Sequence, residues 1–252
     1  MVSVNKKNNF DSVVQRIEKC LLDKTTIEFS TTYKTSTAVY PLIKIVLGRG
    51  NSPRVLISAG IHGDEPGGVE TILKFLEAQE YSHYINDWEI NLLPCLNPHG
   101  FEYGIRENHQ EIDLNRVFKI DNPPKEVTFA KSILDTGFEL TLELHEDTDS
   151  HGYYLYQNGT GNRFERIGQD VLDSVKSIMP INLDPEIDGS PANQGIIDKG
   201  KDNSKMDWWP MALYGLSQGT QSCLTLEASS QFDLPTRVEA HLKAIQTALT
   251  FT

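Results

Sequence analysis

The chain has 252 residues and a formal net charge of −12, from 23 Lys and Arg against 35 Asp and Glu. That acid excess opposes a sequence-independent grip on nucleic acid and docking on an anionic membrane, both of which need a basic face. It leaves anionic small substrates open, because local charge can oppose net charge. No apolar run reaches the roughly 18 residues of a membrane helix. The stretch MVSVNKKNNFDSVVQRIEKC lacks an uninterrupted apolar segment and a small-residue cleavage site, so no secretory signal is expected. Cys20, Cys95 and Cys223 are odd in number, far apart and without a Cys-x-x-Cys pair. They read as reduced structural cysteines of a cytoplasmic protein rather than a thiolate zinc site.

In chain order, 10–22 has helical spacing and 37–47 reads as a strand. Arg49–Arg54 is turn chemistry, and VLISAG at 55–60 is a buried strand. The loop IHGDEPGG leads into a helix whose first turn suits Pro66. A second buried strand covers 89–96, and 97–122 reads as a long irregular loop. A helix is expected over 124–135, and ELTLELHE at 139–146 alternates as a strand does. Residues 153–157 read as strand, 162–178 as helix and 180–205 as a long loop. A short helix over 207–217, a buried strand over 223–229 and a closing helix over 235–249 complete the pattern. Strands alternating with helices predict an α/β domain with a mixed, mainly parallel sheet flanked by helices.

Ligands of such sheets sit beyond the carboxyl ends of the strands. Those ends carry His62 and Glu65, then Arg106, Asn115 and Arg116, then His145, and finally Glu227. Two imidazoles and one carboxylate form the ligand set of a catalytic zinc site. His62 and Glu65, three residues apart, can reach one ion, and His145 would be the third ligand. Glu227 could serve as general base and then acid. The arginines could hold an anionic group or an oxyanion. The spacing alone leaves simpler readings open, with His62 capping a helix and His145 a satisfied strand histidine.

GIHGDEPGG, LNPHGFEYGIRENHQEIDLNRVF, ELHED and LTLEAS, in that order, resemble the carboxypeptidase A family of zinc metallocarboxypeptidases from about Val55 to Ser229. Asp113-Leu114-Asn115-Arg116 is the most diagnostic segment. The resemblance implies one zinc-carboxypeptidase-like (phosphorylase/hydrolase-like) catalytic domain over 1–252, with one Zn²⁺ on His62, Glu65 and His145. It implies Arg106 at the oxyanion, Asn115 and Arg116 on the substrate carboxylate, and Glu227 as general base. The substrate would be a small peptide or acyl-amino acid with a free carboxylate, with no nucleic acid or membrane partner. His99 stands where the family has Asp. The short Glu65–His145 separation resembles compact bacterial members, including peptidoglycan-peptide amidases. HGDE also resembles the succinylglutamate desuccinylase/aspartoacylase branch, which cleaves N-acyl amino acids. A non-catalytic metal-binding protein is the third reading.

Tyr153, Tyr154, Tyr156 and Tyr214 are the candidates for a substrate-clamping tyrosine. Glu146, Asp147 and Asp149 read as a solvated acidic turn before a second metal site. Glu143 is expected on the His145 face, to orient an imidazole or meet an arginine. Trp208 and Trp209 are expected to pack a short helix, and His83, His109, His151 and His241 to lie at the surface. His109 and His151 could rim the cleft. Side-chain specificity is expected from 180–222, where Lys199, Lys201, Lys205, Asp202 and Asp207 leave both signs of charge open.

Overall fold

The computed structural model describes residues 6–21, 27–36, 38–159, 166–198 and 206–251. Ten strands are present: β1 (Ile27–Lys34), β2 (Val39–Leu47), β3 (Arg54–Ala59), β4 (Glu89–Leu93), β5 (Leu140–Asp147), β6 (Tyr154–Gly159), β7 (Glu186–Ile187), β8 (Ser190–Pro191), β9 (Ile196–Asp198) and β10 (Ser222–Ser229). The α-helices are α1 (Phe10–Cys20), α2 (Pro66–Glu77), α3 (Pro98–Tyr103), α4 (Lys125–Leu134), α5 (Ile167–Val175), α6 (Met211–Ser217) and α7 (Leu234–Ala248). Eight strands form one mixed sheet in the order β1-β2-β4-β3-β5-β10-β6-β9, and β7 pairs with β8 apart from it. The central block β4-β3-β5-β10 is parallel, and β1-β2, β2-β4 and β10-β6 are antiparallel. The predicted α/β class and mixed sheet are therefore what the chain adopts.

The alternation of β5 has a different cause from the expected one. Seven of its eight residues are buried, so polar positions do not mark solvent. Leu140, Leu142 and Leu144 serve the core, while Thr141, Glu143 and His145 line the other face. Parallel pairing with β10 aligns Glu227 with His145 and Thr225 with Glu143. Neighbours in register share a face, so Glu227 stands beside His145.

Three expectations need correction. The stretch 97–122 is not wholly irregular, because it holds α3 and a 3₁₀ turn over Leu114–Arg116. Asn97 caps α3 by accepting from Gly100 N, Pro98 opens it, and Gly104 in the left-handed region closes it. The loop over 180–205 contains β7, β8 and β9, whereas Lys199, Lys201, Asp202 and Lys205 lie outside the described residues. Strand β1 was not anticipated. A bulge between Phe29 and Thr31 shifts its register, so Ile27 pairs with Ile45 but Tyr33 with Tyr40. These two buried residues thereby fall on opposite faces although they share one period-two stripe in sequence. Cys20, Cys95 and Cys223 are all unpaired.

Candidate metal centre

The loop between β3 and α2 brings His62 and Glu65 to the sheet's carboxyl edge. Gly63 is required there because a Cβ would collide with the backbone of Gly100 in α3. Gly67 is required because a Cβ would collide with the Glu146 carboxylate. His62 Nδ1 lies 2.6 Å from Glu65 Oε1, and His145 Nδ1 lies 2.9 Å from Glu65 Oε2. All three side chains are buried, and their ligand atoms lie within 4.8 Å of one another. Among the described residues no other cluster of three ligating side chains meets this spacing. The structure thus brings the three expected ligands together, and it gives the N-cap of α2 to Glu65 instead of His62.

The donor chemistry fits a divalent cation such as zinc. Both imidazoles turn Nδ1 toward the same carboxylate and Nε2 away from it. His62 Nε2 meets Asp113 Oδ1 at 3.3 Å, and His145 Nε2 lies 4.0 Å from Glu143 Oε2. At His62 the Asp113 carboxylate on the distal nitrogen fixes the tautomer that exposes the other lone pair. Burial alone would lower His62, but Glu65 and Asp113 hold its pKa above the ordinary 6.5. Burial wins at His145, whose pKa falls despite Glu65. Burial opposes ionisation of Glu65, yet the two imidazoles keep its pKa well below the usual carboxylate range. Burial pushes Glu143 up to about 8. Glu143 thus stands by the His145 imidazole, the first of its two expected places.

Asp113 is a residue whose role sequence reasoning missed. It opens the Asp-Leu-Asn-Arg segment, accepts from Arg106 Nε at 3.0 Å and faces His62. Its signal was available, since a liganding imidazole needs an acceptor for its distal N–H. Arg106 also places Nη1 3.4 Å from Glu65 Oε1. Its charge is therefore largely answered by two carboxylates. Arg116 differs: its Nη1 donates to Asn115 O at 3.2 Å, and its guanidinium lies 4.3 Å over the Trp208 ring. Arg116 has no carboxylate partner among the described residues. Local positive charge opposing the acidic balance therefore rests on this one unpaired arginine. Asn115 is buried, and its Oδ1 accepts from Met211 N at 2.9 Å. That bond docks the start of α6 and sets Trp208 beside Arg116. Trp208 is 40% exposed and stacks on Arg116 instead of packing the helix, whereas Trp209 packs against the core as expected.

Glu227 is half-buried. Burial and the negative charges of Glu65, Asp147 and Asp188 push its pKa well above 4.5, with Arg106 opposing them. Tyr154 and Tyr156 lie on its face, since Glu227 pairs with Tyr154 and Thr225 with Tyr156 across β10 and β6. Tyr154 Oη donates to Asp147 Oδ2 at 2.9 Å, and Tyr156 Oη donates to Asp188 Oδ2 at 2.5 Å. The other two tyrosine candidates are displaced from the cleft. Tyr153 is buried against His241, and Tyr214 donates to Asp135 at 2.6 Å. Asp188, on the β7–β8 turn, is the charged residue that the 180–222 stretch brings to Tyr156 and within electrostatic reach of Glu227.

The acidic turn divides. Asp149 is exposed, but Glu146 is buried and pairs with Arg237 at 2.6 Å, with burial raising its pKa to about 7. His151 is exposed, 3.7 Å from Asp184, and His83 is exposed too. His99 packs against Tyr103 at 4.8 Å between ring centroids, and its Nδ1 has no hydrogen-bond partner. His241 is fully buried, not at the surface. Val238, His241 and Ile245 follow the helical stripe of α7, the signal that could have found it. Its Nε2 lies 3.1 Å from His145 O and its Nδ1 3.0 Å from Tyr153 Oη, so α7 steadies the strand that carries His145. Burial depresses its pKa from 6.5 to about 3. The unfolded chain therefore binds this proton more readily, and stability falls as pH drops through the window from 6.5 to 3. His241→Phe is expected to cost about 1–3 kcal/mol at neutral pH, by orphaning the His145 carbonyl and the Tyr153 hydroxyl, and to flatten that acid slope. Urea titrations at several pH values check both; an unchanged acid slope would remove His241 from the account.

Residues 51–181, just over half of the chain, match the model of the succinylglutamate desuccinylase/aspartoacylase catalytic domain. The chain belongs to that family. Its metal-ligand set and Asp113–Arg116 segment all fall inside the matched range. Among curated relatives of the family member described here, murein peptide amidase A of Escherichia coli K12 is 33% identical over 93 residues, 36% of each chain. Carboxypeptidase E of Caenorhabditis elegans is 32% identical over 87 residues, 26% of this chain and 18% of the relative. The chain thus spans well under two thirds of either relative. A provisionally assigned metallopeptidase from Shewanella denitrificans OS217 shares the fold at TM-score 0.78 and 20% identity, over 96% of this chain and 90% of the other. No helix among the described residues is long and apolar enough to cross a membrane.

Proposed function

We propose that the chain is a zinc-dependent metallocarboxypeptidase that hydrolyses a peptide or amide bond next to a free carboxylate. The observation that carries this reading is the cluster of His62, Glu65 and His145, with Glu227 in register beside His145 and an unpaired Arg116 whose charge reaches Asp113, the neighbour of His62. A pure metal binder has no need of Glu227 or Arg116. The unpaired cysteines support a reducing, cytoplasmic setting, and the continuous sheet supports one catalytic unit over the chain.

His62, Glu65 and His145 would hold the ion. When bound, zinc supplies Lewis-acid polarisation of the substrate carbonyl and lowers the pKa of water toward neutrality. Arg116 and the Asn115 amide grip the substrate carboxylate, which fixes the position of the scissile bond. Arg106, held by Asp113 and Glu65, offers its Nη2 to the developing oxyanion. Glu227 takes a proton from the attacking water and delivers it to the leaving nitrogen. Its raised pKa suits the delivery, and the Glu65 contribution to that shift weakens once Glu65 is a ligand.

The second reading is an N-acyl-amino-acid deacylase, whose substrate also presents an amide next to a free carboxylate. Asp147 and Asp188 beside Glu227 disfavour the dicarboxylates that such enzymes of this family take, and so favour peptides with neutral or cationic residues. Arg116→Ala is expected to lower kcat/KM for free-carboxylate substrates by about 10–100-fold, the value of a charge-assisted bond. It should also erase the preference for free over amidated ends. Rates on peptides, muropeptide fragments and N-succinyl or N-acetyl amino acids, each free and amidated, test this. A retained preference would remove Arg116 from its role, and turnover confined to the acyl-amino acids would establish the second reading. Zinc-loaded protein silent on the whole panel would favour a non-catalytic metal binder.

A further inference from the structure

Glu146 is a buried charge that the reaction does not use. It follows the ligand His145 on β5, and by alternation its side chain leaves the opposite face of the sheet, toward α2 and α7. There the first turn of α2 lies directly on β5. Gly68 approaches Leu144, and Gly67 approaches the Glu146 carboxylate, so closely that a Cβ on either glycine would collide. Arg237 of α7 closes the other side, with Nη1 2.6 Å from Glu146 Oε2. Burial works against the charge of Glu146, while Arg237 and the Gly67 amide favour it.

The first amides of a helix have no partner within it, and its N-terminus favours negative charge. The side chain at the N-cap ordinarily answers those amides. The N-cap of α2 is Glu65, whose side chain makes no capping bond, and the first turn holds no acidic residue of its own. The Glu65 carboxylate is instead committed to His62 Nδ1, His145 Nδ1 and the Glu146 amide, at 2.6, 2.9 and 3.2 Å. We propose that Glu146, held by Arg237, is a positioning residue of the metal centre: its carboxylate stands in for the missing cap of α2, so that Glu65 can turn away from its own helix toward the two imidazoles and the ion. Both halves of Glu146 then serve one ligand. Its backbone N–H holds Glu65 Oε2, and its carboxylate answers the helix that Glu65 opens. Arg237 lies one turn before His241, which reaches the His145 carbonyl, so α7 braces two successive residues of β5 behind the ion site. This role rests on the reading that His62, Glu65 and His145 hold zinc.

The test replaces the pair by apolar residues of similar volume, Glu146→Met/Arg237→Met, in the full chain. A buried ion pair exchanged in this way often leaves stability unchanged or raised. A pair that serves only the fold therefore leaves zinc affinity at the parent's value. The positioning role predicts a zinc Kd at least about tenfold weaker, measured by competition with a chromophoric chelator. The melting temperature of the chelated protein should stay close to the parent's. The Co²⁺ absorption spectrum should change, and amide exchange at Gly67 and Gly68 in the chelated protein should quicken. Glu146→Gln, which keeps size and shape, should move zinc affinity and exchange in the same directions, and it carries the test should the methionine pair fail to fold. The proposal is overturned by parental zinc affinity in the methionine pair, or by unchanged exchange at Gly67 and Gly68. Glu65→Ala in the same assay separates this role from the ligand assignment. Zinc held as tightly by Glu65→Ala as by the parent would remove the metal centre itself, and the proposal with it. Zinc lost there but kept by the methionine pair would overturn the role of Glu146 alone.

Discussion

Glu227→Gln is expected to lower kcat/KM by about 10²–10⁴-fold while metal content and fold stay unchanged. The substitution keeps shape and removes only the ability to take and return a proton. Glu227 touches none of the three ligand side chains through a hydrogen bond, so its loss leaves the His62–Glu65–His145 cluster intact. It also relieves repulsion from Glu65, Asp147 and Asp188, so the variant should be no less stable than the parent. The pH profile adds a second readout. The carboxyl's pKa stands above the ordinary 4.5, and only the ionised form accepts a proton. Activity should therefore fall on the acid side at a pH higher than a free glutamate would give, and the residual activity of the variant should lack that limb. Metal analysis, melting temperature and the kcat/KM profile of both proteins check the prediction. Retained turnover, or lost metal, would take the proton-transfer role away from Glu227.

The site was legible where chemistry forces a residue type and hidden where packing does. Two imidazoles, a carboxylate and a second glutamate at strand ends are readable, because a parallel sheet delivers its carboxyl ends to one edge. Parallel pairing of β5 with β10 then places Glu227 beside His145. Asp113 was quoted within its segment yet given no role, because its partner, the distal nitrogen of His62, is a neighbour in space and not in sequence. His241 looked like an ordinary helix residue because a histidine counts as polar on any scale. Two internal partners, the Tyr153 hydroxyl and the His145 carbonyl, make its burial tolerable. Asp188 escaped through its place in a short hairpin without an apolar run. The net charge of −12 pointed away from nucleic acid but misjudged the cleft, since Arg106 is answered by Asp113 and Glu65 while Arg116 is not.

Removing metal with a chelator is expected to abolish activity and lower the melting temperature, yet leave the chain folded. The first two results follow from linkage. A ligand held only by the folded state stabilises it by RT ln(1 + [L]/Kd), about 4 kcal/mol at a thousandfold excess over Kd. The third follows from how the ligands are held without an ion. Glu65 Oε1 meets His62 Nδ1 and Arg106 Nη1, while Oε2 meets His145 Nδ1 and the Glu146 amide. These four contacts satisfy the carboxylate from within, so the centre stays ordered, unlike small zinc domains that unfold without metal. Glu65→Ala should then destabilise even the chelated protein, by about 1–3 kcal/mol, because it leaves two buried imidazoles without their shared carboxylate. Melting curves of parent and variant, each with and without chelator, separate the two effects. The parent should lose stability on chelation and regain it with added zinc, and the variant should be low throughout and unresponsive. A variant as stable as the chelated parent would mean that Glu65 matters to the ion alone and not to the fold around it.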